Sequence, residues 1–281
     1  MKIGAWDVET LGDGGFRLDG GAMFGVVPRV LWERSRPADA EHRVQLEARV
    51  LLLRDGVRTV LVDVGMGRKW SSRDASRFDL RGGGVVEALR GRGVEPADVT
   101  DVILTHLHFD HAGGLTQVTE AGIVPTYARA RVHLQRRNLS WAEAPSARDR
   151  GSYRREDWAP YTEDSARSLR LLEGPGPILP GVEAVVCEGH TVGQQIVKVS
   201  GPEGTIVYPS DLLPTTSHLA PTWGMAYDLQ PLVLLEEKSA LLDAAIEHDH
   251  VVVFEHDPDV PAARLTRDDR GRAVVAEVVA L

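Results

Sequence analysis

Apolar positions along this chain fall into short runs separated by turn residues. Val50-Leu51-Leu52-Leu53 and the run from Val57 to Val62 flank Asp55-Gly56, a pair that tolerates the positive φ of a tight hairpin turn. Residues 44–64 therefore predict two adjacent strands. Val85-Val86-Glu87-Ala88-Leu89, between three glycines and Gly91, predicts a short helix. Pro96-Ala97-Asp98 opens a turn before the buried-strand run Val102-Ile103-Leu104. Further strands are expected at 130–134, 182–187, 195–199, 205–208 and 251–254. Pro231 sets the first position of a helix over 232–248, with Leu234, Leu235, Lys238, Leu241, Leu242 and Ala245 at helical spacing.

Strands and helices alternate throughout, and no Ser-, Gly- or Pro-rich linker divides the chain. The pattern predicts one α/β domain over residues 1–281, its sheets buried by helices. The stretch 143–168 is rich in Arg, Asp and Glu around Trp158 and Tyr161 and has weak periodicity, so it reads as an insertion or lid, or else as a solvated helix pair. No internal repeat or low-complexity tract is visible.

The composition is that of a soluble globular protein, 43% hydrophobic and 26% charged over 281 residues. A formal charge of −9 argues against a grip on nucleic-acid phosphates or anionic lipid. The one cysteine, Cys187, forms no intramolecular disulfide and reads as a small buried residue. The N-terminal residues lack an apolar signal-peptide core, and no run approaches the roughly 18 apolar residues of a membrane helix. A cytoplasmic location without membrane attachment is the expectation.

The informative segment is His106-Leu107-His108-Phe109-Asp110-His111, directly after the strand run and before Gly113-Gly114. A loop at a strand end lets these side chains diverge, so one loop can offer imidazole nitrogens and a hard carboxylate oxygen to two neighbouring ions. His190, Asp211 and His256 each follow another apolar run. Strands that converge on one sheet edge would bring their distal loops together, which makes the joint pattern stronger than any one histidine.

His106-x-His108-x-Asp110-His111 with His190, Asp211 and His256 resembles the metal set of metallo-β-lactamase-fold hydrolases. The resemblance implies a four-layer αββα sandwich. It also implies that His106, His108 and His190 hold one divalent ion, that Asp110, His111 and His256 hold a second, and that Asp211 bridges them. Asp63, in Val62-Asp63-Val64-Gly65, resembles the early Asp-x-Gly element that supports the metal loop from behind. Two such ions can share a water, lower its pKa and polarise the bond under attack. Zinc is the first expectation, with manganese, cobalt or iron also compatible.

The stretch from Leu18 to Pro28, with Leu31-Trp32, and the stretch from Ser210 to His218, with Trp223 and Tyr227-Asp228, resemble quorum-quenching N-acyl homoserine lactonase-like and methyl parathion hydrolase-like members. The implied activity is a lactonase acting on a small acyl lactone. A phosphotriesterase or arylesterase is the alternative, and a catalytically inactive metal-stabilised binding protein is the alternative of another class. Some lactonases carry a tyrosine three residues after the bridging aspartate, where Pro214 stands here, so Tyr227 or His218 is expected to take that work beside Asp110 and Asp211. Met23, Phe24 and Trp32 are expected to wall the acyl chain. No nucleic-acid partner is expected, and the resemblance leaves room for a homodimer.

Overall fold

The computed structural model describes residues 1–163 and 169–281, so the last five positions of the 143–168 stretch lie outside the described residues. Two seven-stranded sheets carry most of the chain. The first runs, in spatial order, Lys2–Ile3, Trp6–Asp19, Arg43–Arg54, Thr59–Val62, Asp101–Ile103, Arg131–Gln135 and Leu169–Leu172. It is antiparallel up to Thr59–Val62 and parallel from there on. The second sheet runs Gly176–Leu179, Val182–Cys187, Gln194–Gly201, Gly204–Tyr208, Val251–Val253, Ala262–Arg267 and Ala273–Val278.

Side chains alternate across each strand, and both faces are covered, which is why these strands read as unbroken apolar runs. Leu51, Leu53, Val60 and Val62 point to the second sheet, where Val182, Val197, Val199, Ile206 and Val251 meet them in one buried cluster. Their neighbours Val50, Leu52 and Leu61 point the other way, against Val85 and Leu89 of the helix Val85–Arg90 and Leu139 of the helix Arg136–Glu143. On the far side of the second sheet, Ile196, Val207 and Val252 pack on Leu234, Leu241, Leu242 and Ala245 of the helix Pro231–Glu247. The result is the expected helix–sheet–sheet–helix sandwich. None of the helices among the described residues is long and apolar enough to cross a membrane.

The strand Trp6–Asp19 is absent from the hydropathy reading. Its Gly12-Asp13-Gly14-Gly15 centre lacks strand propensity, and the register against Arg43–Arg54 shifts between Gly12 and Gly15. The one extra residue lets Asp13 turn inward, where its carboxylate accepts from Met66 N–H at 2.8 Å and Val85 N–H at 2.9 Å.

Strand direction decides where the functional loops fall. Val182–Cys187 and Gly204–Tyr208 are both antiparallel to Gln194–Gly201, and Val251–Val253 is parallel to Gly204–Tyr208. Three strands of the second sheet thus end on one edge, each just before a ligand candidate. The first sheet contributes the loop after Asp101–Ile103. That loop is held by close backbone contact: a Cβ on Gly114 would stand 2.0 Å from the Val64 carbonyl oxygen, and one on Gly113 2.2 Å from that of Met66. Gly114→Ala should therefore cost about 1–3 kcal/mol by forcing two backbones apart, read as a lowered Tm in thermal unfolding. An unchanged Tm would show that the crossing yields freely.

Candidate metal centre

His106 and His108 sit in the loop after Asp101–Ile103, and Asp110 and His111 lie on the one-turn helix Phe109–Ala112. His190, Asp211 and His256 reach them from the three second-sheet strand ends. All seven are buried. Their donor atoms form two groups, His106, His108, His190 and Asp211, and Asp110, His111 and His256. Asp211 faces both: Oδ2 lies 3.0 Å from His190 Nε2 and 3.4 Å from His111 Nε2, while Oδ1 lies 3.1 Å from His256 Nε2.

The nitrogens of His106, His111, His190 and His256 that turn away from this centre are anchored. His190 Nδ1 pairs with Asp228 Oδ1 at 2.9 Å, His256 Nδ1 donates to the Glu47 carbonyl at 2.8 Å, and His106 Nδ1 meets Thr105 Oγ1 at 3.1 Å. His111 Nδ1 lies 3.0 Å from both Asp63 Oδ2 and Glu255 Oε1. Asp63 and Glu255 thus back His111 on its outer nitrogen and orient it, leaving Nε2 to the centre. Asp63 itself has φ of +58° and accepts from Thr105 N–H and Thr105 Oγ1, each at 2.7 Å.

His190 Nε2 lies 3.1 Å from His108 Nδ1 and 3.0 Å from Asp211 Oδ2, but other inward atoms have no hydrogen-bond partner. Nε2 of His106, His111 and His256 and Oδ1 of Asp211 are buried without a hydrogen bond. Orphaned polar atoms of this kind are costly, and a cluster of imidazole and carboxylate donors is what divalent ions satisfy. The residues present fit the ions that the sequence led us to expect.

Charge follows the same logic. Burial, and then neighbouring imidazoles, hold His106 and His108 well below the ordinary histidine value. His190 behaves differently: burial opposes its charge, yet Asp211 and Asp228 push it up to about 10. Against the same burial, Asp211, Glu255 and Asp110 bring His256 to about 9. Asp211 falls well below the carboxylate range, because burial is outweighed by His190, His256 and His111. In metal-free protein, protons occupy part of the space that cations would take.

A family model described as the metallo-beta-lactamase superfamily matches residues 46–256, which include every one of these donors. The chain belongs to that superfamily. Its relatives include metal-dependent hydrolases and lactonases. An N-acyl homoserine lactonase of Bacillus thuringiensis is 26% identical over 174 residues, 62% of this chain and 62% of that protein. The chain thus spans under two thirds of the lactonases it matches. A probable metal-dependent hydrolase from Staphylococcus aureus superposes with a TM-score of 0.88 at 28% identity, covering 99% of this chain and 100% of that one. A dizinc quorum-quenching lactonase in complex with a homoserine product superposes at 0.79 and 17% identity, covering 100% and 97%, and so shares the fold.

In this metallo-β-lactamase-fold protein a cavity of about 470 Å³ opens over His108, Asp110, His190 and Asp211. Tyr227 lines it, and its hydroxyl makes no hydrogen bond to the described residues. Burial and then Asp110 raise its pKa, so it stays a donor at neutral pH. His218 does not line it. Its Nε2 donates to the Met23 carbonyl at 2.9 Å, its Nδ1 meets Thr215 Oγ1 at 2.7 Å, and burial drives its pKa to about 3.

Met23, Phe24 and Trp32 are 2%, 1% and 3% exposed and lie behind the cavity wall, with Phe24 stacked between Trp32 and His218. The apolar surface offered to the cavity comes instead from Leu18, Phe78, Phe109 and Tyr227. Apolarity alone could not separate the wall from the layer that packs behind it. Tyr153 carried no sequence signal, because its segment lacks periodicity. Its ring nonetheless packs on His108 at 4.7 Å, and its hydroxyl bonds Thr191 Oγ1 at 2.7 Å. Residues 157–161 of that segment are tied down by the buried Lys69–Asp157 ion pair at 3.0 Å and by burial of Trp158 and Tyr161.

Ligands must lose their protons to bind metal. Burial is likewise outweighed at His111, where Glu255, Asp110 and Asp211 hold the imidazole well above the ordinary histidine value, so zinc added to metal-free protein at pH 7 should displace about three protons per chain, from His111, His190 and His256. Affinity should rise with pH until those residues deprotonate unaided, His256 near 9 and His190 near 10. Indicator titration reads the release, and a release of none would mean that these nitrogens are already bare.

Proposed function

We propose that this hydrolase is a lactonase that opens the ring ester of an acyl lactone at a centre of two divalent ions. The observation that carries the reading is the two-sided placement of Asp211 between two donor groups, directly beneath a cavity that also holds an unpaired tyrosine hydroxyl. The naming of several relatives as N-acyl homoserine lactonases supports it.

His106, His108 and His190 would hold one ion, Asp110, His111 and His256 the other, with Asp211 shared. Bound there, the ions supply an activated water and polarise the carbonyl. The chain's own groups do the remainder. Tyr227 Oη, kept protonated by its buried surroundings, is placed to donate to the carbonyl oxygen as negative charge gathers on it. Asp110, which faces both the cavity and His256, is placed to accept the proton that the attacking water gives up and to pass it to the departing alkoxide. Asp228 and Asp63 fix the rings of His190 and His111, so the donors need no rearrangement when substrate arrives.

Metal-loaded protein should bind about two ions per chain and open acyl lactones faster than aryl esters or organophosphates. Elemental analysis and a rate panel test both statements. An organophosphate or aryl ester that outpaces every lactone would replace this reading with the phosphotriesterase or arylesterase one. Bound metal with no turnover of any ester would favour a binding protein.

Two substitutions sharpen the assignment. Asp211→Asn keeps the size but removes the shared charge, so turnover should fall by orders of magnitude with loss of bound metal. Tyr227→Phe should lower kcat roughly 10²-fold at unchanged metal content. A Tyr227→Phe rate within a few-fold of the unsubstituted enzyme would remove that residue from the chemistry.

A further inference from the structure

Hydrolysis of a neutral lactone leaves one property of the cavity unused. Four arginines, Arg17, Arg43, Arg77 and Arg148, line it. Arg17 and Arg43 are compensated: Arg17 Nε lies 3.0 Å from Asp79 Oδ2, and Arg43 Nη2 lies 3.0 Å from Asp39 Oδ2. Arg77 and Arg148 have no carboxylate partner among the described residues. Arg77 is exposed, its guanidinium 5.5 Å from the centre of the Phe78 ring. Arg148 Nη2 donates to the carbonyls of Ala226 at 2.6 Å and Asp228 at 3.4 Å, on either side of Tyr227, while its Nε and Nη1 make no bond to the described residues.

The carboxylates in the same wall are already engaged. Asp19 accepts from Ala22 N–H at 2.8 Å at the start of the helix Gly20–Phe24, and Asp110 and Asp211 belong to the donor groups. Two uncompensated guanidiniums from separate segments therefore face one cavity in a chain whose formal charge is −9. A neutral acyl chain gains nothing from them. An oxyanion gains charge-assisted hydrogen bonds from a planar fork, and the same charges attract it on approach.

We propose that Arg77 and Arg148 form an oxyanion subsite, so that the preferred substrate carries a carboxylate or phosphate-type group on the part that does not react. This deepens the lactonase reading and rests on it only for the identity of the bond broken. Arg148 has a second consequence, since its bonds to the carbonyls flanking Tyr227 would couple oxyanion binding to the position of that hydroxyl.

The test compares matched substrates on the metal-loaded enzyme: N-hexanoyl homoserine lactone and its analogues ending in a carboxylate or a phosphonate. The ratio of kcat/KM, anionic over neutral, should be roughly tenfold or more, should reside in KM, and should shrink in 0.5 M salt. Arg77→Gln and Arg148→Gln should each lower the ratio, while Arg77→Lys and Arg148→Lys should keep most of it. Metal content and Tm, measured alongside, show whether each variant is folded. Whichever anion gives the larger advantage identifies the group bound.

A ratio near one, or a ratio that both Gln variants leave unchanged, overturns the subsite. The same comparison between p-nitrophenyl hexanoate and mono-p-nitrophenyl adipate separates the two readings. If lactones stay closed while the anionic aryl ester keeps its advantage, the lactonase reading fails and the subsite stands. If lactones open without regard to charge, the subsite alone fails.

Discussion

The Asp63 carboxylate ties the end of the strand Thr59–Val62 to the start of the metal loop, and the rest of the centre is hung from that tie. One side chain takes the Thr105 N–H, the Thr105 hydroxyl and the outer nitrogen of His111, while its own backbone is bent to a φ of +58°. A bulky residue in that conformation is strained, and aspartate tolerates it better than most. The bend also carries the chain into Val64–Met66, whose carbonyls press so closely on Gly113 and Gly114 that a methyl group has no room. Ligand directions are thus set by backbone packing before any ion is present.

Electrostatics then explains why the arrangement is built for cations. Seven buried donors, several with orphaned inward atoms, would be expensive in an apolar protein, and protonation of His111, His190 and His256 relieves only part of that cost. The outer nitrogens are bound by Asp228, Glu47 and Asp63, so the rings cannot rotate to find other partners. Cavity and centre also share walls. Tyr227 is held between carbonyls gripped by Arg148, and Tyr153 fixes the face of His108.

Much of this was legible in the residues. The apolar runs at Val50–Leu53 and Val251–Phe254 announced strands buried on both faces, and the helix begun by Pro231 fell within a residue of its expected ends. The donor set was legible because four members fall within six residues and the other three follow strand runs. What escaped notice had a different physical basis. The strand Trp6–Asp19 hides behind a glycine-rich bulge, and its partners are long-range. Phe24 is one of many apolar residues whose burial depends on neighbours such as His218. The arginines of the cavity are scattered between Arg17 and Arg148, so only the folded chain shows them together.

The division of ligands between the two sheets has a consequence for how the protein is made. The loop of the first sheet holds four of the seven donors, His106, His108, Asp110 and His111, and the second sheet brings His190, Asp211 and His256. During synthesis from the N-terminus, a chain that has completed only the first sheet presents two of the four donors of one group and two of the three of the other. His256 is the last donor to leave the ribosome, and it follows nearly the whole sequence. Under the proposed ligand assignment, metal capture would mark the closing of the sandwich, and an ion that arrived early would find an incomplete set from which it could still escape.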